Sequence, residues 1–481
     1  MKQNRISSLF KHSAIYALAT YLQRFLSFLM MPFYTRTAYI ATLQEFGDYV
    51  LLYTFIAFMN FFFVLGQDVA YLRYKHESDT DQNDVFKTSL VNILWLSLLF
   101  SLIILFFRDS ITSVLGISRP EFLYFAVGII ALDSFSNPFY TRLRADEHSV
   151  TFSIIKITRF FMELFFNILF VVVLKYGIWG ILIANGVAAF FNLLILLIAN
   201  KNQLKGHFNK RMALELLKFG IPFVPAGVAF VAIEQVDKIL VNHYLSKEMV
   251  SIYGASYKFG TILLFLVIAF RNAWQPYFLR VAKQEKNAKE IFARINNLIF
   301  SGMTVIWLIL GLFLGDLLII ELPVIGRILG NSAYWEGVII IPIVLLSYVY
   351  YALYVGFTPG FYILKKGSYL ALFTFAGFLT NFVINSLFLE SYGYLVAAWA
   401  TVAAYVVMTS GIIIVNQLIY PLPVNWNKIF LLTGIHGLTL FILLETHPGA
   451  GLRFLFIILF ICIIFYSEKE NLKVFFKKKA F

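Results

Sequence analysis

Cysteine is all but absent from this 481-residue chain, where Cys462 stands alone. One thiol closes no disulfide within the chain and builds no cysteine cage for a metal. Set in an apolar run, it reads as a small core or lipid-facing residue. Charge is scarce as well, at 14% of residues, where soluble domains carry about a quarter. Catalytic signatures are missing too: no phosphate-cradling G-x-x-x-x-G-K-[ST] loop, no H-E-x-x-H zinc pair and no serine nucleophile elbow. His243, His436 and His447 lie scattered near the ends of apolar runs and read as surface or packing residues. No metal and no cofactor is expected, and the chemistry points to transport rather than to an enzyme.

What the chain has in excess is apolar surface. Hydrophobic residues make up 60%, aromatic residues 18%, and the mean hydropathy is +0.79. Helices surrounded by lipid need apolar residues on every face, which explains this bias. Apolar runs of about 20 residues predict an all-α membrane protein of fourteen transmembrane helices. They lie near 12–35, 45–66, 86–107, 121–143, 150–174, 177–199, 216–240, 249–275, 292–314, 336–359, 367–388, 393–418, 428–445 and 452–467. The gaps between them are too short for a soluble domain. Ala17-Leu18-Ala19 imitates a signal cleavage site, but it follows Lys11 too closely for a signal's apolar stretch, so the first helix is expected to stay.

The net charge of +13 has a simple source. One alternating set of gaps collects twenty-six Lys and Arg, in clusters around Lys2, Arg73, Arg142, Lys210, Arg280, Lys365, Lys428 and Lys469. The opposite set holds Arg108, Arg119, Lys175, Lys247, Arg327 and Arg453. Cytoplasmic loops concentrate Lys and Arg, so both termini are expected in the cytoplasm and nucleic acid is not needed to explain the charge. A weak internal repeat accompanies this register. Leu43 to Tyr49 enters the second helix much as Ser246 to Gly254 enters the eighth, and Tyr71-Leu72-Arg73-Tyr74 parallels Tyr277-Phe278-Leu279-Arg280. Six helices followed by six in the same orientation is a parallel repeat, a known transporter design. The expected domains are 1–205 for helices one to six, 206–420 for helices seven to twelve, and 421–481 for two extra helices with a basic tail.

Ionisable residues inside spans are costly and face a bundle interior or a wet cavity. The cations are Arg24, Lys156, Arg159, Lys238, Lys258 and Arg271, and the carboxylates are Asp133, Glu163, Glu234 and Asp237. Lys156, Arg159 and Glu163 share one helical face, and Glu234 and Lys238 are one turn apart. Two readings stand: structural ion pairs between helices, or a polar cavity, basic in sum, that suits an anionic substrate such as a phosphate. In the second reading the cations bind substrate and the carboxylates take a coupling proton or sodium ion. Gly220, Pro222, Pro225 and Gly227 predict a kink or unwound turn opening the seventh helix.

Several stretches in order carry a family resemblance. They are Tyr21 to Arg36, Glu45-Phe46-Gly47-Asp48-Tyr49, Val64 to Tyr74, Phe219-Gly220-Ile221-Pro222-Phe223-Val224-Pro225, and Val236-Asp237-Lys238-Ile239-Leu240. Over roughly residues 10–420 the chain resembles polysaccharide-biosynthesis flippases of the multidrug/oligosaccharidyl-lipid/polysaccharide exporter superfamily. The resemblance implies two six-helix, MATE-like lobes forming a V around a central cavity. It implies alternating-access flipping of undecaprenyl-pyrophosphate-linked O-antigen, capsule or exopolysaccharide units across the bacterial inner membrane. The implied partners are the lipid-linked oligosaccharide, membrane lipids, and polysaccharide polymerase and assembly proteins. The related lipid II flippases bind pyrophosphate with arginines of the first and eighth helices. Arg24 and Arg271 stand in similar helices, Arg271 toward the cytoplasmic end of the span as drawn here. A MATE-like drug or cation exporter would favour a carboxylate-rich cavity. A membrane-embedded O-antigen polymerase-type enzyme would need a sizeable external loop. A non-transporting scaffold is a further reading.

Overall fold

The computed structural model describes residues 22, 25–77, 81–323, 326–446 and 448–477. Among the described residues the regular structure is helical, with one isolated bridge between Leu322 and Gly326 and no strand. Hydrocarbon offers no water to backbone N–H and C=O groups, so each apolar segment satisfies them within itself as a helix. Twelve described helices are long and apolar enough to cross a membrane. The expected fourteen added two more. One, 12–35, falls mostly outside the described residues. The other is the helix Ser149–Asn167, whose Lys156, Arg159 and Glu163 keep it out of that set.

The chain packs as two compact units. The first runs to Gly254 and takes in Leu329–Asn331, and the second holds Ala255–Ile328 and the chain from Ser332 onward. In the first unit, α1 (Leu43–Val64), α2 (Gln67–Glu77), α3 (Gln82–Phe106), α4 (Phe122–Ala145), α5 (Ser149–Asn167), α6 (Gly177–Ala199), α7 (Lys210–Gly220), α8 (Val224–Tyr244) and α9 (Lys247–Gly260, most of it in this unit) supply the helices used below. The second unit contributes α10 (Ile262–Gln284), α11 (Ala288–Ile319), α12 (Ile341–Gly356), α13 (Ser368–Tyr392), α14 (Leu395–Ile419), α15 (Trp426–Thr446) and α16 (Ala450–Lys477).

The motifs that carried the resemblance have packing reasons inside the first unit. Thr42 caps α1 by accepting from the Glu45 N–H, and Glu45 reaches back to the Ala41 N–H, a variant of the capping box. A Cβ on Gly47 would run into Lys247, while Asp48 makes a buried ion pair with Lys247 at 2.7 Å and accepts from the Ser118 N–H. At the end of α1 the chain turns through left-handed Leu65 and Gly66. A side chain on Gly66 would enter the Gly220 backbone, and one on Gly220 would enter the Leu65 carbonyl. Two separate sequence motifs thus meet at this crossing. Just beyond it the expected break occurs: Ile221–Phe223 forms a 3₁₀ turn between α7 and α8, with Pro222 and Pro225 near the start of each new segment, where proline is tolerated.

In the second unit the last two helices are fastened to α11 at three levels. The Lys428 ammonium pairs with Glu468, which accepts from the Ser301 hydroxyl at 2.6 Å, all buried. Buried His436 lies in the middle of α15 rather than near its end, 3.0 Å from Thr304 Oγ1 through Nε2. Arg453 donates to Asp316 at 2.6 Å and to the Leu312 carbonyl at 3.0 Å. Cys462 is exposed on α16, and His447 lies outside the described residues.

Two stability predictions follow from these contacts. Gly66→Ala combines left-handed strain with a backbone clash and should cost at least about 1–3 kcal/mol, read as a lowered midpoint in a detergent thermal-stability assay. Lys428→Ala strands the buried Glu468 and should cost about 3–5 kcal/mol, more than Arg453→Ala, whose partner Asp316 is 42% exposed. An equal loss in both variants would contradict the ranking.

Candidate substrate and coupling site

The polar face of α5 meets α4. Arg159 sends two parallel contacts to Asp133, Nη1 to Oδ1 at 2.6 Å and Nη2 to Oδ2 at 3.1 Å, and its Nε donates to Glu163 Oε1 at 2.7 Å. The planar guanidinium fork matches a carboxylate in two places at once, and the i,i+4 spacing brings Glu163 onto the same face. Arg159 and Glu163 are buried, while the Asp133 side chain stays about one-third exposed, at 34%. Lys156, one turn earlier, holds its ammonium 4.0 Å from the centre of the Tyr140 ring. Two cations and two carboxylates therefore balance in this cluster.

A hydrogen-bond chain runs on from there through residues that sequence reasoning did not single out. Asn167 donates to the Glu163 carbonyl at 2.7 Å and accepts from the Tyr34 hydroxyl at 2.6 Å. It also contacts Asn185 of α6, which donates to the Tyr53 hydroxyl of α1. Directly after Asn167 the helix widens into a π segment, Ile168–Val173, a local form found mostly at functional sites. Tyr140 donates to Asn192 at 2.5 Å beside this chain. The available signal was asparagine inside apolar runs, since an amide in hydrocarbon must find a partner.

The seventh-span residues form a separate group on α8. Asp237 is wholly buried and accepts from Lys238 Nζ at 3.1 Å and from the Tyr253 hydroxyl of α9. Lys238 Nζ also donates to the Glu234 carbonyl at 2.6 Å, and Glu234 itself is buried. Arg24 lies outside the described residues.

Lys258 and Arg271 belong to the second unit. Lys258 is half-buried near the end of α9. The eighth expected span is broken at Thr261, and its second part is the candidate span Ile262–Gln284. Arg271 lies within that candidate span. Arg271 is exposed, and its Nη1 donates to the Tyr351 hydroxyl of α12 at 3.0 Å. Tyr351 stacks in turn against Tyr354 and packs on Tyr405. Among the described residues no carboxylate pairs with Arg271. The guanidinium is thus steadied by a neutral phenol and keeps its charge uncompensated, in contrast to Arg159.

The Arg159 cluster yields a test. Arg159→Ala strips both carboxylates of the guanidinium that bonds them and should lose about 3–5 kcal/mol. Adding Asp133→Asn and Glu163→Gln should restore most of that loss, measured by thermal unfolding in detergent. No recovery in the triple variant would mean that the cost came from packing and not from charge.

The comparisons with known proteins agree with this architecture. No curated protein matches the chain in sequence. The structure superposes on the lipid II flippase MurJ in an inward closed conformation, with a TM-score of 0.72, 14% identity, 95% of this chain covered and 100% of that one. It also superposes on an inward-facing multidrug resistance MATE family transporter of the MOP superfamily, with a TM-score of 0.62 and 12% identity over 82% of this chain and 94% of that one. A MATE in the straight conformation gives 0.58 at 12% identity over 86% and 95%. At these identities the likeness is one of fold. The family model described as polysaccharide biosynthesis protein matches residues 38–322, more than half of the sequence, and the chain therefore belongs to the polysaccharide biosynthesis protein family.

Proposed function

We propose that this transporter flips undecaprenyl-pyrophosphate-linked oligosaccharide units, the building blocks of O-antigen, capsule or exopolysaccharide, across the bacterial inner membrane by alternating access, with both termini in the cytoplasm. The observation that carries this reading is Arg271. An exposed guanidinium within a candidate span, held by Tyr351 and paired with no described carboxylate, has its charge available for a diphosphate. A buried cation already spent on two carboxylates, as Arg159 is, offers an anion little. The remaining polar groups have separate duties in this reading. Lys156 and Lys258 add positive potential within their own units, and Arg24 joins them by its place in the first span. Lys238, tied to Asp237, steadies a carboxylate. Asp133, Glu163, Glu234 and Asp237 are the candidates for a coupling proton or sodium ion, and no further cofactor is required. The polymerase and assembly proteins of the same polysaccharide are the natural partners, since a flipped unit has to be consumed. A drug or cation exporter of the same fold is the second reading, which the partly exposed Asp133 carboxylate would serve.

The test is flipping of a fluorescent undecaprenyl-pyrophosphate oligosaccharide in proteoliposomes. Arg271→Ala should slow it about tenfold or more, the loss expected for a charge-assisted hydrogen bond, and Arg271→Lys should retain part of it. Asp133→Asn or Asp237→Asn should keep downhill flipping but lose its response to an imposed proton or sodium gradient. Wild-type protein that moves no lipid-linked glycan, yet exports an organic cation, would favour the exporter.

A further inference from the structure

At one end of the first unit the α1 entry loop and the turn between the π segment and α6 enclose a wide-mouthed hollow of about 590 Å³. Tyr39, Tyr176 and Trp179 stand around it, with Glu45, Lys175 and Gly177. The volume falls in the ~300–1,000 Å³ range of small-molecule sites. By the charge register this is the side poor in Lys and Arg, hence the external face.

The polar groups of this hollow are built rather than incidental. Glu45 is clamped by two backbone donors from different loops, the Ala41 N–H at 3.0 Å and the Ile178 N–H at 3.2 Å. A carboxylate has about four acceptor sites, so capacity remains after these two. Lys175 holds a left-handed backbone at φ 55°, and Gly177 follows at φ 58° with the Glu45 carboxylate where a Cβ would sit. A non-glycine residue in that region is strained by roughly 1–3 kcal/mol. The strained turn thus seats the fixed carboxylate and brings an ammonium to the same hollow. Tyr176 is half exposed beside them, and Trp179 is braced edge-on by Phe122 and Phe125 at 4.8 and 5.5 Å between ring centres.

Fixed aromatic planes with one acceptor and one cationic donor match a pyranose, which has an apolar C–H face and a rim of hydroxyls. We propose that this hollow binds a sugar ring of the glycan on the external side, separately from the groups that hold the diphosphate. The inference rests on the flippase reading and adds to it a place for the sugar.

The test uses the full-length protein in nanodiscs and three probes: undecaprenyl pyrophosphate alone, and the same lipid carrying one N-acetylglucosamine or one galactose. At least one sugar should tighten binding about tenfold, as one hydrogen bond to a charged group would. Lys175→Gly removes the cation and relaxes the left-handed backbone, so it leaves the fold intact, and Tyr176→Ala removes an exposed ring. Both should erase the sugar increment and spare binding of the bare lipid. An increment that survives both changes overturns the site, as does a bare lipid that binds with no gain from either sugar. Equal weakening of all three probes would make the hollow a headgroup contact and also overturn it. Failure of every probe with wild-type protein would bring down the flippase reading itself.

Discussion

In hydrocarbon a polar side chain cannot borrow a hydrogen bond from water, and most of this structure follows from that restriction. Backbone groups meet it by helix formation. Side chains meet it by finding each other across helices. Arg159 answers two carboxylates, Asn167 and Asn185 answer a carbonyl and two phenols, and Lys428 answers Glu468. Each solution holds helices together, and the two ionic ones also remove charges from use. Arg271 differs, because its partner, the Tyr351 hydroxyl, is neutral.

Packing adds a second layer of cause. The family-like stretches are not only marks of kinship. Gly66 and Gly220 let two backbones touch, and Gly47 admits the α9 residue Lys247, which then closes an ion pair with Asp48. Residues 154 positions apart (Gly66 and Gly220) and 199 positions apart (Asp48 and Lys247) are therefore halves of single contacts. The 3₁₀ turn at Ile221–Phe223 follows directly on the glycine crossing, so the change of helix direction occurs where the chain is already pinned.

Much of the fold was legible in the sequence, because spans, loops and the proline break are written in local composition. Pro222 and Pro225 announced the broken helix in residue types alone. The break at Thr261 carries no such sign, since Gly260 and Thr261 stand without a proline. The site was legible as a set of residues and not as an arrangement. Spacing related Arg159 to Glu163, but nothing in it chose Asp133, 26 positions away, as the second partner. The tyrosines and asparagines of the hydrogen-bond chain escaped notice because each alone is an ordinary residue in a membrane helix.

The fastening of α15 and α16 to α11 sets an order of assembly. While the chain is being made, α11 enters the membrane with Ser301, Thr304 and Asp316 still waiting for Glu468, His436 and Arg453. Those partners emerge more than a hundred residues later. The second unit therefore stays unfinished through most of its synthesis and closes only when α16 arrives, so a ribosome that stops short leaves a helix with polar groups bare to lipid, the kind of product that membrane quality control degrades.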